Sequence, residues 1–275
     1  CMLFVFVDMG QPMRALNVIL YPAPNSIMFW DLISLTGYLL LNALIALVTL
    51  TAERKGVAPP RWIMPVIIIS IPWAVSIHTV TAFLYNGLPG RPFWLTALLA
   101  PRFLASAFSS GPALLIVLTM VIRRLTSFDP GREPIQKLSL IVTYAMTINV
   151  FFVLMELFTV FYSQIPSHME HFKFLFVGLE GQAVLVPWMW ASVILAVVSL
   201  TLLIVPRCRK NEKVLAGTCV MVFLSLWIDK GLGLIVGGFV PSPLGAVTRY
   251  VPTLLEIAIT VGIWAVGFLM ITVFY

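Results

Sequence analysis

Seven long apolar stretches constrain the fold of this sequence more than any other feature. They lie at 26–50, 62–85, 93–122, 138–162, 184–205, 214–236 and 251–275. Each reaches the roughly 20 residues that a helix needs to cross the hydrocarbon core of a bilayer. Short connections rich in Pro and Gly separate them, as expected for turns. We therefore predict an all-α, polytopic membrane protein built from helical bundles.

The composition excludes the common soluble classes of protein. Hydrophobic residues make up 60% of the 275 residues and charged residues only 10%, whereas soluble domains are about half apolar and about a quarter charged. The cysteines Cys1, Cys208 and Cys219 form no CxxC pair. Neither a zinc or iron–sulfur ligand set nor a disulfide framework is predicted from them.

The first seven residues form a further apolar run that is too short to cross a membrane. Asp8 follows this run directly, and no charged segment precedes it as in a signal peptide. We expect the run to be the end of a helix that begins before residue 1. The chain is then interpreted as a segment with seven full spans and a partial one.

Lys and Arg are distributed unequally between the two sets of connections. Eleven of the 17 lie after the first, third and fifth spans, while four lie in the opposite set. Connections rich in Lys and Arg face the cytoplasm. We therefore predict that the loops 8–25, 86–92, 163–183 and 237–250 lie on the outer, extracytoplasmic side of the cytoplasmic membrane.

Seven ionisable side chains fall within the spans, where such groups are costly and are candidates for function. They are Asp31, His78, Arg102, Glu156, Asp229, Lys230 and Glu256. Counted from the outer end of each span at the helical rise, their depths are about 8 to 14 Å. All seven therefore lie in the outer half of a core about 30 Å thick. This asymmetry predicts a polar pocket or proton path that opens outward; the alternative is that Arg102 and Lys230 only neutralise nearby carboxylates.

Bound cofactors and metals are not favoured by the sequence. A b-type haem in a bundle needs facing axial ligands, and His78 is the only histidine within a span. His168 and His171 lie in an outer connection without a carboxylate or cysteine to complete a metal site, so we predict that they are solvated. The glycine-rich run at 231–238 lacks the strand and helix that flank a nucleotide-binding loop.

Several stretches have a familiar order of residues. Asp8-Met-Gly-Gln-Pro-Met-Arg follows the partial helix, Ser26-Ile-Met-Phe-Trp-Asp opens the next span, and Gly90-Arg-Pro-Phe-Trp-Leu-Thr-Ala-Leu-Leu-Ala-Pro-Arg opens the third. Together they resemble the NrfD/PsrC family of quinone-interacting membrane subunits in respiratory complexes. The segment 227–245, followed by 250–256, is similar to the DsrP branch, the membrane subunit of the Dsr complex. The Hmc-type subunit is the neighbouring branch of the same family. The resemblance covers essentially the whole chain.

The resemblance implies a subunit of ten helices in two four-helix bundles. It implies the remainder of the first, quinone-binding bundle at 1–92, a second four-helix bundle at 93–250, and a C-terminal transmembrane helix at 251–275. It also implies electron exchange between the menaquinone pool and an extracytoplasmic ferredoxin-like iron–sulfur subunit, beside other membrane and cytochrome subunits, in dissimilatory sulfur or sulfite metabolism. The chain itself would hold no haem or iron–sulfur cluster.

The resemblance also assigns roles to the charged residues. Quinone chemistry moves protons with electrons, so proton-exchanging groups must reach the ring oxygens. His78 lies on a helix that the family places in the quinone-binding bundle, and its ordinary pKa suits proton exchange. We expect His78 and Asp31 to act at the quinone, with Trp30 and Tyr85 completing its binding site. A proton route or charge network is expected from the remaining ionisable residues, Arg102, Glu156, Asp229, Lys230 and Glu256.

Two other functions stay open as alternatives. A secondary transporter would place inverted repeats and broken helices around a site at the midplane, whereas the buried charges here lie toward one leaflet. A purely structural anchor for partner subunits would leave the buried carboxylates unexplained. The sequence therefore favours a quinone-reactive subunit of an oxidoreductase complex.

Overall fold

The computed structural model describes residues 3, 6–7, 11–126, 129–247 and 252–274. Four residues of the predicted partial helix at 1–7 lie outside this set. So do residues 8–10 of the loop 8–25 and residues 248–250 of the loop 237–250. Helices account for most of the described chain, which contains no β-strand. The prediction of an all-α protein is confirmed.

Eight helices carry the fold. They are α1 (Ile27–Arg54), α2 (Ile63–Asn86), α3 (Leu99–Leu125), α4 (Arg132–Ser163), α5 (Pro166–Phe176), α6 (Val186–Ile204), α7 (Glu212–Phe239) and α8 (Leu254–Phe274). Short helical turns occur at Pro12–Arg14, Asn17–Leu20, Pro92–Trp94 and Pro206–Lys210. Six of the eight helices, α1 to α4 with α6 and α7, are long and apolar enough to cross a membrane. The chain is a multi-pass membrane protein, and the predicted count of seven full spans stays a prediction.

Local sequence signals set the ends of several helices. The Asn211 side chain caps α7 by accepting a hydrogen bond from the backbone N–H of Lys213 at 3.1 Å. Gln164 adopts a left-handed conformation with φ 51°, which ends α4. Pro166 occupies the start of α5, where its missing N–H costs nothing. The conformation of Gln164 and the position of Pro166 together explain why the chain turns between α4 and α5.

The predicted start of the third span at Phe93 is wrong. The α-helix begins at Leu99, because Pro92 starts a separate short turn and Trp94 points into the protein interior. Arg102 therefore lies in the first turn of α3 rather than deep within it. The segment 92–98 instead lies across the end of the bundle described below.

Contacts between residues divide the chain into two units. The domain boundaries predicted at 92 and 250 stay predictions. The first unit comprises residues 1–80 and 249–275. In it, α1 and α2 pack closely where Trp73 lies against Gly37 and donates from its indole N–H to the Ser34 carbonyl at 2.9 Å. A side chain on Gly37 would overlap that indole. Most of the apolar surface of both helices stays exposed, as expected for helices that face lipid.

The second unit comprises residues 81–248 and contains an antiparallel four-helix bundle. Helices α3, α4, α6 and α7 pack in a ring, each against two neighbours. The segment 92–98 and α5 cover the end of the bundle where α3 and α6 begin and where α4 and α7 end. The distribution of Lys and Arg between the connections predicts that this covered end faces outward.

Two apolar layers fill the interior of the second unit. One, which we call the apolar cap, lies at the covered end and includes Phe93, Trp94, Phe172, Leu175 and Leu234. The other, which we call the apolar plug, fills the opposite half of the bundle. Its members include Ala113, Ile116, Val142, Met146, Leu215, Cys219 and Val222. The buried charged residues lie between these two layers along their helices.

Candidate functional site

The second unit brings together four of the ionisable residues that the sequence places within spans. We call Arg102, Glu156, Asp229 and Lys230 the charge cluster. The Arg102 guanidinium donates to the Glu156 carboxylate and, through Nη2, to Asp229 Oδ1 and Oδ2 at 3.3 and 3.2 Å. Lys230 Nζ lies 3.3 Å from Asp229 Oδ2. Three helices, α3, α4 and α7, thus meet through one ion-pair network.

The charge cluster is buried and balanced in charge. The exposed fractions of the Arg102 and Glu156 side chains are 5% and 6%, and those of Lys230 and Asp229 are 17% and 20%. Two cations face two carboxylates, so the buried network carries no net charge. Such compensation is what makes a buried ionic group tolerable.

Two donor nitrogens of the charge cluster make no hydrogen bond with a described residue: Arg102 Nε and Lys230 Nζ. Lys230 Nζ is held by its ion pair with Asp229 and by a cation–π contact with Phe103, whose ring centre lies 5.5 Å away. Buried polar atoms without a partner commonly bind an ordered water, so these two atoms indicate where water would lie.

Asp229 and Lys230 stand at the start of a π-helical segment of α7. This segment runs from Ile228 to Val236 and includes most of the glycine-rich run at 231–238. A π-helical turn is wider than an α-helical one and is found frequently at functional sites. Both members of the charge cluster on α7 thus lie in the first turn of this segment.

Three side chains from outside α7 hold the end of this π-helical segment. The contacts are Trp94 Nε1 to the Leu234 carbonyl at 2.9 Å, His171 Nδ1 to the Gly237 carbonyl at 2.7 Å, and Arg91 Nη1 to the Phe239 carbonyl at 2.9 Å. Carbonyls at a helix C-terminus have no partner within the helix. The segment 92–98 and α5, together with Arg91, therefore supply the donors that fix the helix carrying Asp229 and Lys230.

Small polar residues continue the polar layer below the charge cluster. Ser106 follows Arg102 by one helical turn, and Ser192 and Ser225 each donate to the backbone carbonyl of the other at 2.9 Å. The apolar plug lies beyond them. Within the described part of the second unit, the buried charges thus lie in one half of the bundle; that this half faces outward stays a prediction.

A small cavity reaches the charge cluster from the covered end of the bundle. It encloses about 70 Å³, and we call it the vestibule. Its walls come from the segment 92–98, α4 and α5, and include Leu95, Thr96, Glu156, Thr159, His168 and Phe172. Glu156 therefore contacts both Arg102 and the vestibule.

Three of the predicted quinone-site residues lie in the first unit. Trp30 donates its indole N–H to the Pro24 carbonyl at 2.8 Å, which holds the preceding loop against α1. Asp31 and His78 lie on α1 and α2 and are partly exposed. His78 makes no hydrogen bond or ion pair with any residue that the structure describes, so its imidazole nitrogens are free for a ligand.

Glu256 and Tyr85 occupy different surroundings. Glu256 is exposed in the first unit and forms a capping box at the start of α8, where its carboxylate accepts from the Thr253 N–H at 2.6 Å. Tyr85 lies in the second unit against the rings of Trp94 and Phe103. Among the described residues, no group of His, Cys, Asp and Glu is arranged to hold a metal ion.

Sequence reasoning missed the role of His171. The prediction that His171 is solvated is wrong, because it lies on the buried face of α5 with 4% exposure. Pro166 followed by apolar residues at Met169, Phe172 and Leu175 is the pattern of an amphipathic helix. That pattern could have identified α5 within the predicted loop 163–183.

The contact between Trp94 and Gly238 provides a first test of this arrangement. A Cβ atom on Gly238 would overlap the Trp94 indole, so Gly238→Ala is expected to destabilise the protein by about 1–3 kcal/mol. Gly217, also on α7, has open space around it, and Gly217→Ala should be neutral or stabilising. Thermal unfolding of the purified protein in detergent measures both, and equal midpoints for the two variants would contradict the close contact.

His171 makes stability depend on pH. Burial lowers the pKa of His171, so the folded protein favours the neutral imidazole whose Nδ1–H donates to Gly237. The unfolded chain has the ordinary pKa of about 6.5. The stabilisation is therefore complete above that pH and is lost as the pH falls through the lower folded-state value.

We expect the thermal unfolding midpoint of the wild type to fall between about pH 7 and about pH 5. His171→Gln keeps a donor for Gly237 but cannot titrate, so its midpoint should fall less over the same range. Parallel curves for the two proteins would show that His171 is not responsible.

The sequence of this chain is similar to those of several known membrane proteins. A sequence model of the family described as "Polysulphide reductase, NrfD" matches residues 1–240. A dimethyl sulfoxide reductase membrane subunit of Halobacterium salinarum is 26% identical over 98% of this chain and 69% of its own length. A selenate reductase subunit of Mesobacillus selenatarsenatis is 22% identical over 99% and 72%. The Hdr-like menaquinol oxidoreductase integral membrane subunit of Archaeoglobus fulgidus is 25% identical over 64% and 42%.

Proposed function

Because the chain belongs to the NrfD polysulphide reductase family, we propose that it is a quinone-interacting membrane subunit of an electron-transfer complex. The observation that carries this proposal is the family match over residues 1–240 of a multi-pass membrane chain. Relatives named as membrane subunits of reductases and of a menaquinol oxidoreductase support it.

The proposed substrate is a menaquinone-type quinone, and the proposed electron partner is an extracytoplasmic ferredoxin-like iron–sulfur subunit. Other membrane and cytochrome subunits would complete the complex. The resemblance to the DsrP branch, to which the Hmc-type branch is related, supports a role in dissimilatory sulfur or sulfite metabolism. These finer assignments rest on the sequence motifs at 8–14, 26–31, 90–102, 227–245 and 250–256.

His78 is the proposed proton-exchanging residue at the quinone. Oxidation of a quinol releases two electrons to the partner and two protons, and reduction of a quinone takes up the same numbers. A free imidazole nitrogen within a partly buried helix face can accept or donate one such proton at a ring oxygen. Asp31, on the neighbouring helix of the same unit, is the proposed second proton-exchanging group.

The charge cluster is proposed as a proton route of the second unit. Glu156 can take up a proton at its carboxylate, and Arg102 can then keep its pairing with Asp229. Each proton taken up would raise the net charge of the network by one, and Asp229 would remain paired with both Arg102 and Lys230. The apolar plug would stop protons from passing to the other end of the bundle.

Purification of the intact complex tests the proposed function. We expect lipid extraction to release a bound menaquinone-type quinone, and the complex to transfer electrons from a quinol to its iron–sulfur subunit. A complex that holds no quinone and shows no quinol-dependent electron transfer would contradict the proposal.

The partner is proposed to dock on the predicted outer loops, especially 163–183 and 237–250. Chemical cross-linking of the complex should join the iron–sulfur subunit to α5 and its flanking residues. Cross-links to the connection 123–137 instead would show that the predicted orientation is inverted.

A further inference from the structure

We propose that the vestibule is a hydrated proton inlet, through which protons from the outer aqueous phase reach the charge cluster by way of His168 and Glu156. This inference rests on the proposed function for the direction and purpose of proton transfer. The hydration of the vestibule stands on the geometry of the second unit alone.

The walls of the vestibule supply the groups that a proton inlet needs. His168 lies on α5 and is partly exposed, whereas Glu156 lies on α4 and is nearly fully buried. The cavity contacts both, so it connects a partly exposed proton-exchanging group with a buried one. Thr96 and Thr159 add hydroxyl groups to the same walls.

The size of the vestibule fits water rather than an organic ligand. Its 70 Å³ can hold about two water molecules, since each occupies about 30 Å³. Ligand pockets start at roughly 300 Å³, so a quinone ring does not fit. Arg102 Nε and Lys230 Nζ, which make no hydrogen bond with a described residue, provide further positions where water would be bound.

The proposed step moves one proton and no electrons. A proton passes from bulk water to the His168 imidazole, and from there through vestibule water to the Glu156 carboxylate, where a new O–H bond forms. The Arg102–Glu156 ion pair is thereby replaced by a neutral carboxyl group beside a guanidinium. Arg102 keeps its contacts with Asp229, so the network can lose the proton again without rearranging its helices.

Hydroxyl-radical footprinting of the intact complex tests the hydration. Radicals formed from bound water modify the side chains that contact it, even when those side chains are buried. Phe172 and Phe174 are a matched pair on α5, each with 7% exposure, but only Phe172 lines the vestibule. We expect Phe172 to be modified at least about tenfold faster than Phe174 if water fills the cavity. Equal modification would show that the vestibule is dry and would overturn the inference.

A pair of threonine variants tests proton transfer. Thr159→Leu places a larger apolar side chain in the vestibule wall, whereas Thr147→Leu changes the same residue type elsewhere on α4. Both threonine hydroxyls donate to the carbonyl four residues earlier at 2.8 Å, so the local change in the helix is matched. We expect Thr159→Leu to slow quinol turnover at least about tenfold, a smaller loss than removal of a proton-transfer group itself causes. Equal turnover in the two variants would contradict the inlet.

The two experiments separate this inference from the proposed function. A wet vestibule in a complex without quinol turnover would refute the proposed function and leave the hydration intact. Normal turnover with a dry vestibule would overturn the inlet and leave the quinone function intact.

Discussion

Replacing Arg102 with glutamine should destabilise the protein by about 3–5 kcal/mol, because it leaves an uncompensated carboxylate in the buried interior. Arg102 is the only group that contacts both Glu156 and Asp229 in the described structure. Lys230 can balance Asp229, to which it lies close, but Glu156 would have to stay charged without a cation or take up a proton, and either change costs stability. Thermal or chemical unfolding of the purified protein in detergent measures the loss.

A second substitution should restore much of that stability. In the double variant Arg102→Gln with Glu156→Gln, both members of the lost pair are neutral, and Asp229 and Lys230 still compensate each other. Arg124, an exposed residue at the far end of α3, has no ion pair with a described residue, so Arg124→Gln serves as a matched control. A double variant that is as unstable as Arg102→Gln alone would show that charge compensation is not the cause.

Replacing His78 with glutamine should lower quinol turnover in the assembled complex by roughly 10²–10⁴-fold, the range for removal of a general acid or base. Glutamine keeps a hydrogen-bonding side chain of similar size but cannot exchange a proton near neutral pH. Because His78 has no partner among the described residues, the substitution breaks no contact there, and the unfolding midpoint should change little.

Ser76 on the same helix provides the control for His78. Its hydroxyl donates only to the Trp73 carbonyl in the preceding turn, so Ser76→Ala should leave quinol turnover close to that of the wild type. Unchanged turnover in His78→Gln would remove His78 from the quinone site while leaving the family assignment intact.

Hydropathy and charge distribution were sufficient to predict an all-α, multi-pass membrane protein. They also singled out the residues of the charge cluster, but together with Glu256, which caps α8 in the first unit. A buried charge must be compensated whatever the fold, so Arg102, Glu156, Asp229 and Lys230 stand out in an apolar sequence. Their pairing could not be predicted in the same way. Arg102 and Asp229 are 127 residues apart, and only the packing of α3 against α7 brings them into contact.

Features that depend on backbone geometry were also hidden in the sequence. The turn at Pro92 and the inward position of Trp94 shorten α3 and place Arg102 in its first turn. The π-helical segment has no clear signature in its residues, because glycine and aliphatic residues fit several conformations. His171 was missed for a different reason, since its amphipathic helix was interpreted as a solvated loop.

The location of the quinone tests the central claim most directly. A density map of the intact complex purified with menaquinone should show the head group in contact with the first unit, with one ring oxygen about 3 Å from a His78 imidazole nitrogen. A map in which the quinone contacts only residues 81–248, or in which no quinone lies near α1 and α2, would contradict the account.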